Sequence, residues 1–330
     1  MKHGANIYKY AKEINCDPQE IIDFSSNVNL YQPEVKLELS SSLIAKYPDA
    51  SYSELKEVIA KKYELQSEQI AFYNGATSAI HTLLKSLKRD NVYLYEPLFG
   101  EYEEASSKKN IYRVNRITDI NNPPTHDAIV VFVNPSTPEG EYHDLAELLK
   151  IWMQANATII LDESFLEFEE LASYRDKINE YKKLYIIQSF SKFYSCAGVR
   201  VGAIFSHKKN IKKLPQDLWN ISSLDVEFLK KRLVDEEFIA KSKELHKLQK
   251  AELITILEDS SLFSEIAESQ TNFILTHSPR GEELFEHLLQ HKILVRTCES
   301  FTYLDKNWLR FAVKSKEDQA KLQEALNAFS

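Results

Sequence analysis

Glycine is scarce in this sequence, with seven residues among 330. Six of them, Gly4, Gly75, Gly100, Gly140, Gly198 and Gly202, fall in segments that carry polar motifs. Glycine alone accepts positive φ or close backbone approach without steric cost, so each marks a place where geometry is demanded. Cysteine is also sparse. Cys16, Cys196 and Cys298 are odd in number, far apart and without C-x-x-C spacing, which argues against a disulfide framework or a zinc site and suggests buried thiols in a reducing cytosol. There is no run of about 18 apolar residues, and the N-terminal MKHGANIYKYAKEINCD has no apolar h-region, so a soluble cytoplasmic protein is expected. A basic surface is missing as well: the formal net charge is −8 and the pI about 5.7. That balance argues against nucleic-acid and anionic-membrane partners and makes any basic site local.

What is present is an alternation of apolar runs and amphipathic stretches. The chain is long enough for one large core and a smaller second domain. Strands are expected at 69–73, 91–95, 128–133, 158–161, 184–188 and 201–206, with helices at 52–62, 78–85 and 144–153. This is the pattern of an α/β domain with a mostly parallel sheet. Each strand ends where a polar motif begins, and open α/β sheets bind ligands outside the carboxyl ends of their strands. Residues 223–259 are charged, helical in pattern and free of glycine and proline, which predicts one long connecting helix. Beyond it, strands at 271–276, 293–296 and 308–313 and helices at 282–290 and 316–328 predict an α+β layer.

The segment IIQSFSKFYSCAGVRVGAIFS sets Ser189, Ser191, Lys192 and Arg200 between two apolar runs. A lysine so framed can be desolvated, which favours the neutral amine and attack on an aldehyde. Arg200 and the Ser189 hydroxyl could bind a phosphate. An isolated S-x-x-K would equally describe a surface lysine beside a turn. In ATIILDESFLEF, Asp162 ends an apolar run, where a carboxylate is costly unless paired. The pyridine nitrogen of pyridoxal 5′-phosphate (PLP) would supply a partner; a helix cap or a metal ligand are the other readings, and no histidine near in sequence supports a metal. Asn134, ending IVVFVN, could donate to the phenolic oxygen of the same cofactor. YNGATSAIHTLL leads through Gly75 into a helix starting near Ala76 and Thr77, a candidate phosphate cup. YEPLFGEY offers Phe99 or Tyr102 to stack on a ring.

Five such segments in this order identify a resemblance. HGAN, DFSSNVNLYQP, YPDASYSEL, NGATSAI, YEPLFGEY, VNPSTPEG, DESFLEF, SFSKFYSCAGVRVG, ILVRTCESF and WLRFAV are similar, in order, to motifs of the fold-type-I PLP enzymes of the aspartate aminotransferase superfamily. The nearest branch is the one that holds histidinol-phosphate aminotransferase and L-threonine O-3-phosphate decarboxylase. The resemblance implies a large domain with a mostly parallel seven-stranded sheet and a smaller α+β C-terminal domain. It divides the chain into an N-terminal segment at 1–40, a cofactor-binding domain at 41–222 and a small domain with its linking helix at 223–330. It implies Lys192 as the Schiff-base lysine and Asp162 as partner of the ring nitrogen. Asn134 would bond the ring oxygen, and Gly75, Ala76, Thr77, Ser189 and Arg200 would hold the phosphate. Tyr52 would reach it from a neighbouring subunit, making a homodimer the expected unit. Arg310 would clamp the substrate α-carboxylate, Arg296 would be a second anion-binding group, and Asn29 and His3 would belong to a segment closing over the site. Surface ion pairing is the plainer reading of both arginines.

Two departures stand out. Phe165 replaces a tyrosine that hydrogen-bonds the ring oxygen in many relatives, which predicts a raised pKa for the lysine-bound cofactor. PSTPEG at 135–140 replaces the commoner PNNPTG. The expected activity is amino transfer on a small or phosphorylated amino acid, with decarboxylation of a phosphorylated amino acid as the alternative. A catalytically silent PLP-binding protein is the reading from another class.

Overall fold

The computed structural model describes residues 6–37 and 40–329. A short strand, β1 (Ile22–Asp23), precedes the strands of the central sheet: β2 (Ile70–Asn74), β3 (Asn91–Glu96), β4 (Asn110–Asn115), β5 (Ile129–Val133), β6 (Thr158–Asp162), β7 (Leu184–Ser189) and β8 (Val201–Ser206). The sheet has seven strands in the order β2-β8-β7-β6-β5-β3-β4. Strands β3 to β7 pair in parallel, and β8 runs antiparallel to both of its neighbours. Strands β5 to β8 are buried at every position, as expected of a sheet covered on both faces, and so they appear in the sequence as unbroken apolar runs. The edge strand β4, NIYRVN, is mostly accessible and was not foreseen, because its polar residues mimic a loop.

Alternate residues of the strands feed two cores. Val130 and Phe132 of β5 pack with Trp152 and Leu148 of the helix Ala146–Gln154 and with Leu55 and Ile59 of the helix Ser53–Tyr63. Ile129, Val131 and Val133 pack on the opposite face with Ile80, Leu83 and Leu84 of the helix Gly75–Ser86. The 80/83/84 spacing is one stripe of a 3.6-residue period. That helix comes so close to β8 that a Cβ on Gly202 would lie 2.4 Å from the Ala76 amide nitrogen.

The C-terminal part holds β9 (Glu265–Ile266), β10 (Phe273–His277), β11 (Ile293–Leu294), β12 (Arg296–Thr297) and β13 (Trp308–Ala312). Four of these form an antiparallel sheet, β12-β13-β10-β9, while β11 pairs in parallel with β1. The single strand expected at 293–296 is therefore two strands in two sheets. The helices Gly281–Gln290 and Lys316–Asn327 share a core with Tyr10 and Ala11 of the N-terminal helix Ile7–Glu13.

The long helix expected over 223–259 is also corrected. It is two helices, Ser223–Leu233 and Glu236–Asp259. Asp235 breaks it by accepting a hydrogen bond from the Phe238 amide at 2.9 Å with non-helical ψ of 85°, the local bonding by which aspartate favours a cap over a helix interior. No helix of the described residues is long and apolar enough to cross a membrane.

Candidate active site

The carboxyl ends of the central strands open into a cavity of about 820 Å³, closed on its other side by Arg296 of β12 and Arg310 of β13. Asp162 ends β6, Ser189 ends β7, and Lys192 lies three residues beyond in the turn to β8. All three face the cavity. Burial lowers the Lys192 amine to about 8, and the positive charges of Arg310, Arg200 and Lys314 push the same way. The opposite happens at Asp162, where burial raises the carboxyl above its ordinary range although Ser164 and Tyr102 donate to it. The Ser164 amide lies 2.9 Å from its Oδ1 and the Tyr102 hydroxyl 2.7 Å from its Oδ2. Among the described residues, none of the groups acting on Asp162 is cationic.

Opposite these groups, Ala76 and Thr77 present the start of the helix Gly75–Ser86 to the same cavity, together with Arg200. The Asn74 side chain does not cap this helix; the Gly75 amide donates to Arg200 O at 3.0 Å, which leaves the amides of Ala76 and Thr77 to face an anion. Gly75 has φ of +76°, and a Cβ there would lie 2.6 Å from Arg200 Nη2. The glycine is what lets the guanidinium reach the helix terminus. Phe99 and Phe165 supply apolar wall, with the Phe165 ring set edge-on to Phe273 at 5.2 Å.

Arg310 is buried. Its Nη1 donates to Thr137 Oγ1 at 2.6 Å and its Nη2 to Ser25 O at 2.8 Å, while Nε has no hydrogen-bond partner among the described residues. Burial lowers its pKa to about 10. Arg296 Nη2 donates to Ser300 Oγ at 2.8 Å, with the guanidinium 5.3 Å from the Phe301 ring. Ser25, Ser26 and Asn27 form one wall, and four consecutive carbonyls of this strap are held by the C-terminal sheet and its continuation. The Ala312 amide donates to Phe24 O at 2.9 Å, Arg310 to Ser25 O, Lys314 Nζ to Ser26 O at 2.9 Å and Asn272 Nδ2 to Asn27 O at 2.9 Å.

Other residues expected at the site lie elsewhere. Tyr102 is fully buried and offers its hydroxyl to Asp162 rather than its ring to the cavity; Phe99 is the aromatic that lines it. The Asn134 amide is engaged with the backbone of His143, donating to its carbonyl at 2.8 Å and accepting from its amide at 2.9 Å. Asn29 is braced inside the protein, donating to Phe193 O and Ser242 Oγ at 2.7 and 2.8 Å. Tyr52 lies outside the cavity, its hydroxyl accepting from the Ile221 amide at 3.0 Å, and lines a separate groove with Tyr47 and Asp49. His3 lies outside the described residues. Sequence reasoning missed Ser25, Ser26, Thr137, Ser164, Ser300 and Phe301, all of which line the cavity. The small polar run in DFSSN was the one local signal for the strap.

The residues present fit PLP. They provide an amine shifted toward neutrality, a desolvated carboxylate with no cation acting on it among the described residues, uncapped helix amides beside an arginine, and a buried guanidinium whose Nε has no hydrogen-bond partner among the described residues. An aldehyde, a protonated ring nitrogen, a phosphate and a carboxylate are the groups that such a set accommodates.

Residues 19–329 match the family described as Aminotransferase class I and II. The adenosylcobalamin biosynthesis bifunctional protein CobDQ of Leptospira interrogans is 32% identical over 99% of this chain, which spans 41% of that protein's length. The threonine-phosphate decarboxylase of Salmonella typhimurium is 26% identical, covering 98% of this chain and 95% of its own. Among solved structures, the histidinol-phosphate aminotransferase from Clostridium acetobutylicum superposes with a TM-score of 0.79 at 26% identity, covering 92% of this chain and 97% of its own.

Proposed function

The chain belongs to the class I and II aminotransferase family, and on that premise we propose that it is a PLP-dependent aminotransferase acting on a small or phosphorylated amino acid through Lys192. The observation that carries this reading is the meeting of Lys192, Asp162 and Arg310 in one cavity. When bound, PLP supplies an aldehyde that condenses with amines and a ring that takes up the electron pair released at the substrate Cα.

The protein's own groups do the rest. Asp162 offers its carboxylate to a ring N–H, with Tyr102 and Ser164 fixing its orientation. Ala76, Thr77, Ser189 and Arg200 hold the phosphate. Arg310 would bind the substrate α-carboxylate, and by fixing it would orient the bonds at the substrate Cα. Lys192, with a pKa of about 8, is poised near neutrality to take a proton from Cα and deliver it elsewhere. Phe99, Phe165 and Phe301 exclude water and so strengthen these charge interactions. We assign the functional unit as a cytoplasmic homodimer in which Tyr52 serves the neighbouring subunit's site, a role supported by its position outside its own cavity.

A second reading, decarboxylation of a phosphorylated amino acid, is favoured by the identity to the threonine-phosphate decarboxylase. Incubation of PLP-loaded protein with L-threonine O-3-phosphate tests the two. Amino transfer yields pyridoxamine phosphate without carbon dioxide; carbon dioxide without pyridoxamine phosphate would replace the first reading by the second.

A further inference from the structure

A buried ion pair lies behind the turn that receives Arg310, and none of the roles assigned above uses it. Arg116 follows β4 and Glu139 belongs to the turn at 134–140; their exposures are 2% and 6%. Arg116 Nε is 3.0 Å from Glu139 Oε1. Its Nη1 donates to the carbonyl of Val133, the residue before Asn134, at 2.8 Å, and the guanidinium lies 4.3 Å from the Phe132 ring centroid. One side chain thus grips both ends of the turn. Inside it, the Gly140 amide donates to Ser136 O at 2.8 Å and Ser136 Oγ donates to Pro97 O at 3.1 Å, which leaves Thr137 little freedom. Thr137 Oγ1 in turn receives Arg310.

Stability alone is a poor reason for such a pair. Burial pushes Arg116 down and Glu139 up, each shift opposed by the partner's charge. Desolvation offsets much of the attraction, and an apolar pair of similar volume often serves a core as well. The position of the pair in the sequence is informative too. PSTPEG differs from PNNPTG at 136, 137 and 139, and two of those three positions, Thr137 and Glu139, are the ones that touch Arg310 and Arg116.

We propose that Arg116 and Glu139 are positioning residues for Arg310: their ion pair fixes the turn so that Thr137 holds the guanidinium toward the cavity, and this sets the affinity of the site for a ligand carboxylate. The inference rests on the reading of Arg310 as the carboxylate-binding group.

The test compares two ligands of PLP-loaded protein, L-threonine O-3-phosphate and the same molecule without its carboxylate, 1-amino-2-propanol phosphate. Dissociation constants come from the amplitude of the rapid visible absorbance change on mixing, read before turnover can convert one ligand into the other, and folding from thermal unfolding. Glu139→Gln, the double variant Arg116→Met/Glu139→Leu, and Thr137→Val, which spares the ion pair, should each weaken the carboxylate ligand by about tenfold or more, as for loss of a charge-assisted hydrogen bond. Binding of the amine should stay within about twofold. The double variant should melt close to the parent. A folded double variant, or Thr137→Val, with an unchanged ratio of the two constants would reduce the pair to packing and overturn the proposal. Arg310→Met separates the premise: if it raises the ratio of the carboxylate ligand's dissociation constant to that of the amine while the pair variants do not, only the positioning role fails; if it leaves the ratio unchanged, the carboxylate role of Arg310 falls and the positioning role with it.

Discussion

The low pKa of Lys192 can be tested without any cofactor, by competitive labelling of the PLP-free protein with formaldehyde and cyanoborohydride across a range of pH. Only a neutral amine adds to the aldehyde. With a pKa of about 8, roughly a tenth of the Lys192 side chains are neutral at pH 7, whereas an ordinary lysine near 10.5 has about one in 3,000, a ratio of about 300. Peptide mass spectrometry should therefore show Lys192 labelled far ahead of its intrinsic expectation at pH 7, rising about tenfold per pH unit below 8 and flattening above it. Exposed lysines in the same digest should keep rising through pH 9. Replacing Arg310 with methionine removes a positive neighbour, so the Lys192 pKa should rise and the plateau move to higher pH. It should not return to 10.5, since burial is the largest cause. Labelling of Lys192 that climbs in parallel with the exposed lysines past pH 9 would refute a desolvated amine.

Phe165→Tyr restores a hydroxyl at the cavity wall, and an absorbance titration of the PLP-loaded variant should give a lower pKa than the parent; an equal or higher value would contradict the expected cost of losing that donor. Tyr102→Phe removes the hydrogen bond to Asp162 Oδ2, and denaturant unfolding should show a loss of about 1–3 kcal/mol, the cost of leaving a buried acceptor unsatisfied. Gly202→Ala would drive a Cβ into the Ala76 amide, so equilibrium titration with PLP should show weaker binding even where the variant folds; unchanged affinity would mean that the helix start does not hold the phosphate.

Much of this arrangement was legible in the sequence because the chemistry follows apolar runs. Asp162, Ser189 and Lys192 each sit at the end of a fully buried strand or just beyond it, and such strands announce themselves by composition. The edge strand β4 did not, since one accessible face removes the apolar run. The break at Asp235 was overlooked because the absence of glycine and proline was given more weight than a side chain able to cap. Residues brought to the cavity by distant parts of the chain left little local trace: Thr137 is visible only through Arg310, and Ser25 only through β13. Phe99 and Tyr102 share one segment, yet one lines the cavity and the other steadies Asp162. No spacing rule distinguishes those two roles.

The strap at 24–27 imposes an order on assembly. Its Ser25 carbonyl waits for a guanidinium 285 residues further along, so a nascent chain emerging from the ribosome carries that wall without its support until residue 310 has been added. Contacts of such separation form late. A ribosome-stalled chain ending before residue 308 should therefore hold an assembled central sheet and an open, unfinished pocket.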